Sequence, residues 1–367
     1  MVTIRYGVIG VGGIGKVHAR AAKELENVEL VAVADINVDY AKKIGEEFNV
    51  HWYKDYREMI EKEKLEAVSI CVPHFLHAKV GLDVIDYNVN VLMEKPITIT
   101  VGEAEKLISK AKKHNVKLGV CFQHRIDPES IVLKDLIENG MGEPLRGNLL
   151  YTCYRDQRYY GKGAWRGTWW GEGGGVLINQ AIHYIDLFFW FLGKKPVKIY
   201  SMMDNMLHNI EVEDTASAVS LLENNSQAVM QFSSFDHPSI FHLDIRFSRG
   251  AIIMDSSGAK YVKTPMLRDM IENKIEKTEP EWATLSNIKV KYTGHKGILY
   301  DFANAIIEDK EPLIPGEEGK ISVEIANAII MSGFLGKVVE LPLNPEEYDK
   351  ILEKLKERKP LGEKYSL

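Results

Sequence analysis

The stretch IRYGVIGVGGIG, residues 4–15, decides how the N-terminal part of the chain folds. It predicts an apolar strand, a glycine-rich turn and then a helix over residues 17–25, which together open a βαβ unit. Gly10 permits the tight turn, Gly12 lets backbone N–H groups approach a pyrophosphate, and Gly15 lets the helix pack closely on the strand. The helix N-terminus then faces the phosphates. An ordinary glycine-rich turn is the alternative, but the βαβ context favours a dinucleotide site formed by Gly10, Gly12, Gly13, Ile14 and Gly15.

Asp35 ends a second apolar strand, twenty residues after the last glycine of that turn. A carboxylate at this position can accept hydrogen bonds from the ribose hydroxyls of adenosine, but it would repel a 2′-phosphate. Ile36 and Asn37 bring no arginine to offset its charge. The sequence therefore favours NAD over NADP. The alternative is that Asp35 only starts a turn.

The chain has 367 residues, which is long enough for two domains. Its composition, 45% hydrophobic and 27% charged, is typical of a globular protein. The net charge of -6 comes from interspersed acidic and basic residues, so we expect neither nucleic acid nor a membrane as a partner. The three cysteines form no CxxC pair and no grouping with histidine at ligand spacing, so we predict no metal. The chain begins with a strand instead of a signal-type segment, which predicts a cytoplasmic location.

Strands and helices alternate up to about residue 122, which is typical of a doubly wound parallel sheet. We therefore predict an α/β Rossmann domain over residues 1–123. The chain then has an apolar helix over residues 176–192 and a run of strands, which predicts an α+β domain over residues 124–343. Two later helical patterns, around residues 299–308 and 317–335, could cover the second sheet or return to the first domain. Residues 344–367 form the predicted C-terminal tail, with a polar surface helix over residues 344–359.

Two groups of polar residues directly follow predicted strands of the first domain. Pro73, His74 and His77 follow one strand, and Glu94-Lys95-Pro96 follows another. Ligands gather at the carboxyl ends of the strands in an open parallel sheet, which makes both groups candidates for a site. The alternative is that the Glu-Lys pair is a solvated loop charge.

Asn179, His183 and Asp186 lie at helical spacing in the predicted apolar helix, so they share one face. Polar groups on a buried helix need partners, and this face is expected to line a polar cavity or to pair internally. The alternative is a core histidine that Asp186 satisfies.

These motifs together resemble the Gfo/Idh/MocA oxidoreductases over nearly the whole chain. The resemblance rests on five segments, which are GVGGIG at residues 10–15, VPHFLH at 72–77, EKP at 94–96, QHR at 123–125 and GGGVLINQAIHYID at 173–186. It implies a Rossmann domain followed by a domain with an open, mostly antiparallel sheet. It also implies a homodimer or homotetramer that assembles through that second sheet.

The resemblance assigns Lys95 to the catalytic centre and implies a cis peptide between Lys95 and Pro96. It makes His183 the proton acceptor or donor at the reacting hydroxyl. Many family members carry aspartate four residues before that histidine, where this chain has Asn179. An amide cannot take a proton, so Asn179 can orient the substrate but cannot act as a base. The cofactor-binding set then extends to Pro73, His77, Glu94, Lys95 and Gln123.

Residues 151–170 are unusually rich in aromatic and arginine side chains. Flat rings suit the apolar faces of a sugar or cyclitol, and arginine suits a carboxylate or phosphate. The alternative is that these rings pack the core or a subunit interface. The predicted substrate-binding residues are Lys95, Arg125, Arg158, Tyr160, Trp165, Asn179 and His183.

The resemblance implies an NAD-dependent dehydrogenase that acts on a secondary hydroxyl of a carbohydrate, which would be a sugar, sugar acid, nucleotide sugar or cyclitol. With asparagine at position 179, the chain resembles a subgroup of the family that includes dehydrogenases of nucleotide-linked amino-sugar uronates. Two alternatives keep the fold. One is an NAD-dependent glycosidase, and the other is a non-catalytic protein that senses sugars or nucleotides.

Overall fold

The computed structural model describes residues 2–277, 279–286 and 288–357. It divides the chain into a first unit, Met1–Ile126 with Lys291–Val323, and a second unit, Asp127–Val290 with Glu324–Leu367. This division differs from the predicted domains 1–123, 124–343 and 344–367. The helical pattern around residues 299–308 returns to the first unit, and the described part of the C-terminal tail belongs to the second.

The first unit contains a parallel sheet, which in the described residues has six strands in the order β3-β2-β1-β4-β5-β6. The strands are β1 Ile4–Ile9, β2 Val28–Ala34, β3 His51–Tyr53, β4 Ala67–Ile70, β5 Asn90–Glu94 and β6 Leu118–Cys121. The helices between them are α1 Gly13–Lys23, α2 Val38–Phe48, α3 Tyr56–Glu63, α4 His77–Asp86 and α5 Val101–His114. Every residue of β4 and β6 is buried, as expected of parallel strands with helices on both faces. The predicted doubly wound α/β fold is confirmed.

The register of this sheet aligns the carboxyl ends of its strands. Ile9 of β1 lies opposite Ala34 of β2 on one side and Ile70 of β4 on the other. Met93 of β5 pairs with Ile70, and the next residue, Glu94, pairs with Cys121. The residues that directly follow these strands therefore lie along one edge of the sheet.

The returning segment covers the outer edge of β6. The N–H of Val120 donates to the carbonyl oxygen of Ile314 at 2.9 Å, and Gly119 forms an isolated bridge with Pro315. An uncovered edge strand would expose unpaired backbone groups, which explains why this segment packs on the first unit.

The second unit contains a mixed sheet, mostly antiparallel, with nine strands in its described part in the order β14-β13-β12-β11-β7-β10-β9-β8-β15. Only the pairing of β7 with β10 is parallel among the pairs described. The strands are β7 Pro144–Thr152, β8 Pro196–Asp204, β9 Thr215–Leu222, β10 Gln227–Ser233, β11 Phe241–Phe247, β12 Gly250–Asp255, β13 Gly258–Lys263, β14 Ala283–Thr284 and β15 Val339–Glu340. The predicted α+β class is confirmed.

The remaining helices are α6 Pro128–Leu136, α7 Gln157–Tyr160, α8 Ile182–Leu192, α9 Leu267–Ile271, α10 Gly294–Ile307, α11 Gly316–Leu335 and α12 Pro345–Lys356. Short 3₁₀ segments occur at His74–Leu76 and Gln123–Ile126, and a π-helical segment at Ile137–Met141. Helix α8 packs on β7, where a Cβ on Gly147 would lie 2.7 Å from the ring of Phe188. Across the residues described, no helix has the length and apolar character needed to cross a membrane.

The predicted helix of the tail is present in its described part, but it is amphipathic instead of polar on all sides. Helix α12 buries Tyr348, Ile351, Leu352 and Leu355 and exposes its charged face, because its apolar residues recur at helical spacing. Residues 358–367 of the predicted tail lie outside the described residues.

Candidate functional site

The glycine-rich turn has the shape that its sequence predicts. Gly10 has φ +83°, and a Cβ there would lie 2.7 Å from the carbonyl oxygen of Cys71. A Cβ on Gly15 would lie 1.8 Å from the carbonyl oxygen of Gly10, so only glycine lets α1 approach this closely. A Cβ on Gly12 or Gly13, by contrast, would meet no described atom within 4 Å. The turn is therefore tight against the sheet and open on the side where the N-terminus of α1 can face a phosphate.

Asp35 ties the end of β2 to this turn. Its Oδ2 accepts the N–H of Val11 at 2.8 Å, and its Oδ1 accepts the N–H of Asn37 at 2.8 Å. The contact with Val11 directs the carboxylate towards the glycine turn. The contact with Asn37 forms the turn that was the alternative role predicted for Asp35. Each oxygen keeps a second lone pair that can accept a ribose hydroxyl. Ile14, in the first turn of α1, has an exposed side chain.

Glu94 is buried at the end of β5, where three groups hold its carboxylate. Oε1 lies 2.8 Å from Nε2 of His18 and 3.5 Å from Nε2 of His295, and Oε2 accepts the N–H of Lys95 at 3.1 Å. Burial by itself would raise the pKa of Glu94. The hydrogen bonds and charges of the two histidines outweigh burial and hold that pKa well below its usual range. The predicted cofactor residue Glu94 thus orients the segment that carries Lys95.

Sequence reasoning missed both histidines around Glu94. His18 lies on α1 and is fully buried, with Nδ1 at 2.7 Å from Oγ of Ser69. The hydroxyl of Tyr6 lies 2.7 Å from the same Oγ. The sequence could have indicated His18, because a histidine on the buried face of α1 needs a polar partner. It could not have indicated His295, because the segment that carries it returns to the first unit only in the folded structure.

Lys95 is half-buried, and its peptide bond to Pro96 is cis, as the resemblance implied. His77 is buried beside it, with Nδ1 at 2.6 Å from the carbonyl oxygen of Pro96 and Nε2 at 2.9 Å from that of Val72. Burial lowers the pKa of His77. A neutral ring has one N–H and donates to one of these carbonyls at a time. These contacts favour a role for His77 in holding the Lys95 segment, and Pro73 starts the adjoining 3₁₀ turn.

Gln123 follows β6, and its Oε1 is buried without a hydrogen-bond partner among the residues that the structure describes. A buried acceptor of this kind suits the amide N–H of a nicotinamide. With the open glycine turn and Asp35, it shows that the residues present fit NAD. The predicted substrate residue Arg125 is buried, and its guanidinium donates to Oε2 of Glu318 at 3.1 Å.

In the second unit, the predicted helix over residues 176–192 begins only at Ile182. The preceding residues form turns in which the N–H of Ala181 donates to the carbonyl oxygen of Val176. Glu213 explains the late start, because its carboxylate accepts the N–H of Gly175 at 2.8 Å and of Leu177 at 3.1 Å. His183 therefore lies in the first turn of α8, and Asn179 lies in the turn before it.

The amide of Asn179 is held by groups that the sequence did not assign to the site. Its Nδ2 donates to Oε1 of Glu172 and, at 2.9 Å, to the hydroxyl of Tyr159. Glu172 is fully buried and also accepts the N–H of Gly167 at 2.7 Å. Arg166 donates to the hydroxyl of Tyr159 at 2.8 Å and lies 3.7 Å from Glu172. Asn179 is thus oriented by a buried carboxylate and a tyrosine.

Glu213 is only 2% exposed, and burial raises its pKa from 4.5 to about 7. Backbone N–H groups oppose this increase, and the charge of Glu172 adds to it. The pKa of this carboxyl therefore lies in the neutral range, directly behind the turn that carries Asn179. The sequence gives little indication that Glu213 belongs to this site, because Glu213 lies in a loop 34 residues beyond Asn179.

The other predicted substrate residues are divided by their exposure. Arg158 has a side chain that is 90% exposed and donates to Asp156 at 2.7 Å. Tyr160 is buried, with its hydroxyl 3.0 Å from that of Ser234, which matches the core-packing alternative. Trp165 is half-buried beneath the guanidinium of Arg166, at 4.5 Å.

Comparison with known proteins identifies both parts of the chain. Residues 4–122 match the oxidoreductase family model GFO_IDH_MocA, described as an NAD-binding Rossmann fold, and residues 131–253 match the C-terminal domain model of the same family. The rhizopine catabolism protein MocA of Rhizobium meliloti is 31% identical over 224 residues, which cover 60% of this chain and 68% of that protein.

Two further proteins are similar over nearly the full length. Myo-inositol 2-dehydrogenase of Thermotoga maritima is 24% identical over 339 residues, 89% of this chain and 95% of that protein. The WlbA dehydrogenase of Bordetella pertussis, crystallised with NADH and UDP-GlcNAcA, has the same fold with a TM-score of 0.80 at 24% identity, over 93% of this chain and 100% of that chain. The prediction of an NAD site is confirmed. The chain therefore belongs to the Gfo/Idh/MocA family of NAD-binding oxidoreductases.

Proposed function

We propose that this protein oxidises a secondary hydroxyl of a sugar, a sugar acid, a nucleotide sugar or a cyclitol. The observation that carries the proposal is the edge of the parallel sheet, where Lys95 is oriented by Glu94 beside an open glycine turn and the buried acceptor of Gln123. The names of two relatives support the substrate class, since one acts on myo-inositol and the other was crystallised with UDP-GlcNAcA.

In the proposed mechanism, Lys95 and His183 act on the same substrate hydroxyl. His183 takes the hydroxyl proton, and Lys95 stabilises the alkoxide that develops. Histidine is the side chain that most often serves as a general base in such a step. Asn179 orients the substrate without taking a proton. NAD, when bound, supplies the hydride acceptor, and the residues that would hold it include Gly12, Asp35 and Gln123.

The structure weakens the argument that arginines near residue 160 select an anionic substrate. Arg158 lies against Asp156, and Arg166 lies near Glu172, so carboxylates of the chain already offset both charges. We therefore include neutral cyclitols and sugars on equal terms with uronates and nucleotide sugars in the test.

The first experiment follows NADH absorbance with pure protein, NAD and a panel of inositols, hexoses, uronic acids and nucleotide sugars. We expect NADH to accumulate with one of these classes. Hydrolysed product without net NADH would overturn the proposal in favour of the NAD-dependent glycosidase. Stabilisation of the protein by a ligand without turnover would overturn it in favour of the sensor.

Variants test the two roles once a substrate is known. Lys95→Ala and His183→Ala should each lower turnover by about 10²- to 10⁴-fold and leave NAD binding almost unchanged. Lys79→Ala, on the exposed face of α4, and His242→Ala, a half-buried histidine of the second unit, are the matched controls. Near-normal turnover in either test variant would refute its assigned role.

The proposed assembly is a homodimer or homotetramer through the second sheet. Its solvent face presents Tyr200, Met202, Val219 and Val229, whose side chains are exposed on β8, β9 and β10. A contiguous apolar face of this kind is typical of an interface. Light scattering on Val219→Lys and Val229→Lys should show smaller particles than the parent protein, and an unchanged mass would contradict this interface.

A further inference from the structure

Four potential metal ligands converge inside the first unit, and we propose that they bind one zinc ion. The His18 cluster consists of His18, Glu94, Cys121 and His295, whose ligand atoms all lie within 4.8 Å of one another. The sequence predicted no metal because the four residues are far apart along the chain. The fold brings them together from α1, the ends of β5 and β6, and the first turn of α10.

The ligand atoms lie at most 4.8 Å apart, a range that includes the spacing of a tetrahedral zinc site. Zinc binds nitrogen and oxygen at about 2.0 Å and sulfur at about 2.3 Å, which places tetrahedral ligand atoms about 3.3–3.7 Å apart. Oε1 of Glu94 lies 2.8 Å from Nε2 of His18 and 3.5 Å from Nε2 of His295. The rings of His18 and His295 meet edge to face, with centroids 5.3 Å apart.

Two ligands of the His18 cluster have their other polar atoms fixed from outside it. Nδ1 of His18 is 2.7 Å from the hydroxyl of Ser69, which leaves Nε2 directed at the cluster. Oε2 of Glu94 accepts the N–H of Lys95, which leaves Oε1 directed at the cluster. Metal-binding histidines and carboxylates are commonly oriented by such outer hydrogen bonds.

The charges of the His18 cluster balance those of a zinc ion. A thiolate at Cys121 and the carboxylate of Glu94 carry two negative charges, and neutral imidazoles add none. Binding Zn²⁺ would displace the thiol proton and any proton that the imidazoles share with Glu94, so that a buried site ends with no net charge. Imidazole with thiolate suits zinc and disfavours magnesium and calcium, which bind oxygen ligands.

Four protein ligands leave no open position, which is typical of a structural zinc site. The ion would join α1 and the returning helix α10 to the edge of the sheet at β5 and β6. His295 has a side chain that is 20% exposed and offers a route for the ion to enter. This inference does not depend on the substrate or on the proposed catalytic roles.

The test measures metal in protein prepared without a polyhistidine tag. We expect about one zinc per chain by mass spectrometry, and the zinc-stripped protein should bind Co²⁺ with the visible bands of a tetrahedral site and a thiolate charge-transfer band. Zinc should also raise the melting temperature of the stripped protein.

Two cysteine variants identify the ligand. Cys121→Ser should lose the charge-transfer band, and Cys71→Ser should keep it, since Cys71 is a buried cysteine outside the His18 cluster. Stripped parent protein that takes up no Co²⁺ would overturn the proposal whether or not the variants fold. Equal cobalt spectra from Cys121→Ser and the parent would overturn it as well, because they would show an adventitious ion.

Discussion

Glu213→Gln should remove a pH dependence from the stability of the second unit. The folded protein holds the pKa of Glu213 at about 7, raised from 4.5 by burial. A carboxyl whose pKa is raised on folding binds its proton more tightly in the folded state, so its contribution to the free energy of unfolding falls as pH rises between those two values. Above about pH 7 the loss is complete, and below about pH 4.5 it is absent.

The size of this effect follows from the difference between the two pKa values. The increase from 4.5 to about 7 corresponds to about 3 kcal/mol, most of which develops between pH 5 and pH 8. The side chain is 2% exposed, so solvent screens this effect little. Glutamine has nearly the same shape, and an amide oxygen in place of Oε1 can accept both the Gly175 and the Leu177 N–H. Any other effect of the substitution on the free energy of unfolding does not depend on pH.

The assay is urea unfolding from about pH 5 to pH 8, followed by tryptophan fluorescence. Five of the six tryptophans lie in the second unit, and Trp169 is buried in contact with the same loop, donating to the carbonyl oxygen of Glu211 at 2.8 Å. The free energy of unfolding of the parent relative to Glu213→Gln should fall by 2–3 kcal/mol across this range. Glu211→Gln controls for the loss of a carboxylate from this loop. A change below about 1 kcal/mol would refute the raised pKa of Glu213.

Three further substitutions test the site. Asp35→Ser should lower the ratio of kcat/KM for NAD to that for NADP by about 10-fold or more, because the charge that repels a 2′-phosphate is removed, and an unchanged ratio would contradict that role. Gly15→Ala should abolish NAD binding measured by fluorescence, since its Cβ would lie 1.8 Å from a backbone oxygen, whereas Gly13→Ala, with no described atom within 4 Å of its Cβ, should still fold. Asn179→Asp should lower the free energy of unfolding by about 1–3 kcal/mol at neutral pH, because it places a second carboxylate against buried Glu172. An equal free energy of unfolding at pH 5 and pH 8 would argue against that contact.

The sequence alone predicted those features of the structure that depend on residues close together in the chain. The glycine turn between β1 and α1 is a local feature, and its tight and open sides were both predicted from the order of its glycines. The position of Asp35 beside this turn could be predicted for the same reason, since it follows β2 directly and the carboxyl ends of neighbouring parallel strands share one edge.

Long-range partners account for what the sequence did not predict. Helix α8 starts at Ile182 instead of residue 176 because Glu213, from a loop after β8, takes two backbone N–H groups of the preceding turn. The contact of Arg125 with Glu318, which lies 193 residues further along the chain, was likewise not predicted from the sequence. Hydrophobic periodicity carries no information about such partners.

Buried carboxylates orient the proposed catalytic residues in both units. Glu94 accepts the N–H of Lys95, and Glu172 accepts the amide of Asn179, while Glu213 holds the turn that precedes His183. A carboxylate accepts several hydrogen bonds with its two oxygens, so one buried charge can fix both a backbone segment and a side chain. The same burial makes each position sensitive, because a replacement that removes the side-chain oxygens leaves N–H groups without an acceptor. Substitutions at these glutamates should therefore alter turnover through the positions of Lys95, Asn179 and His183, although none of the three carboxylates is proposed to contact the substrate.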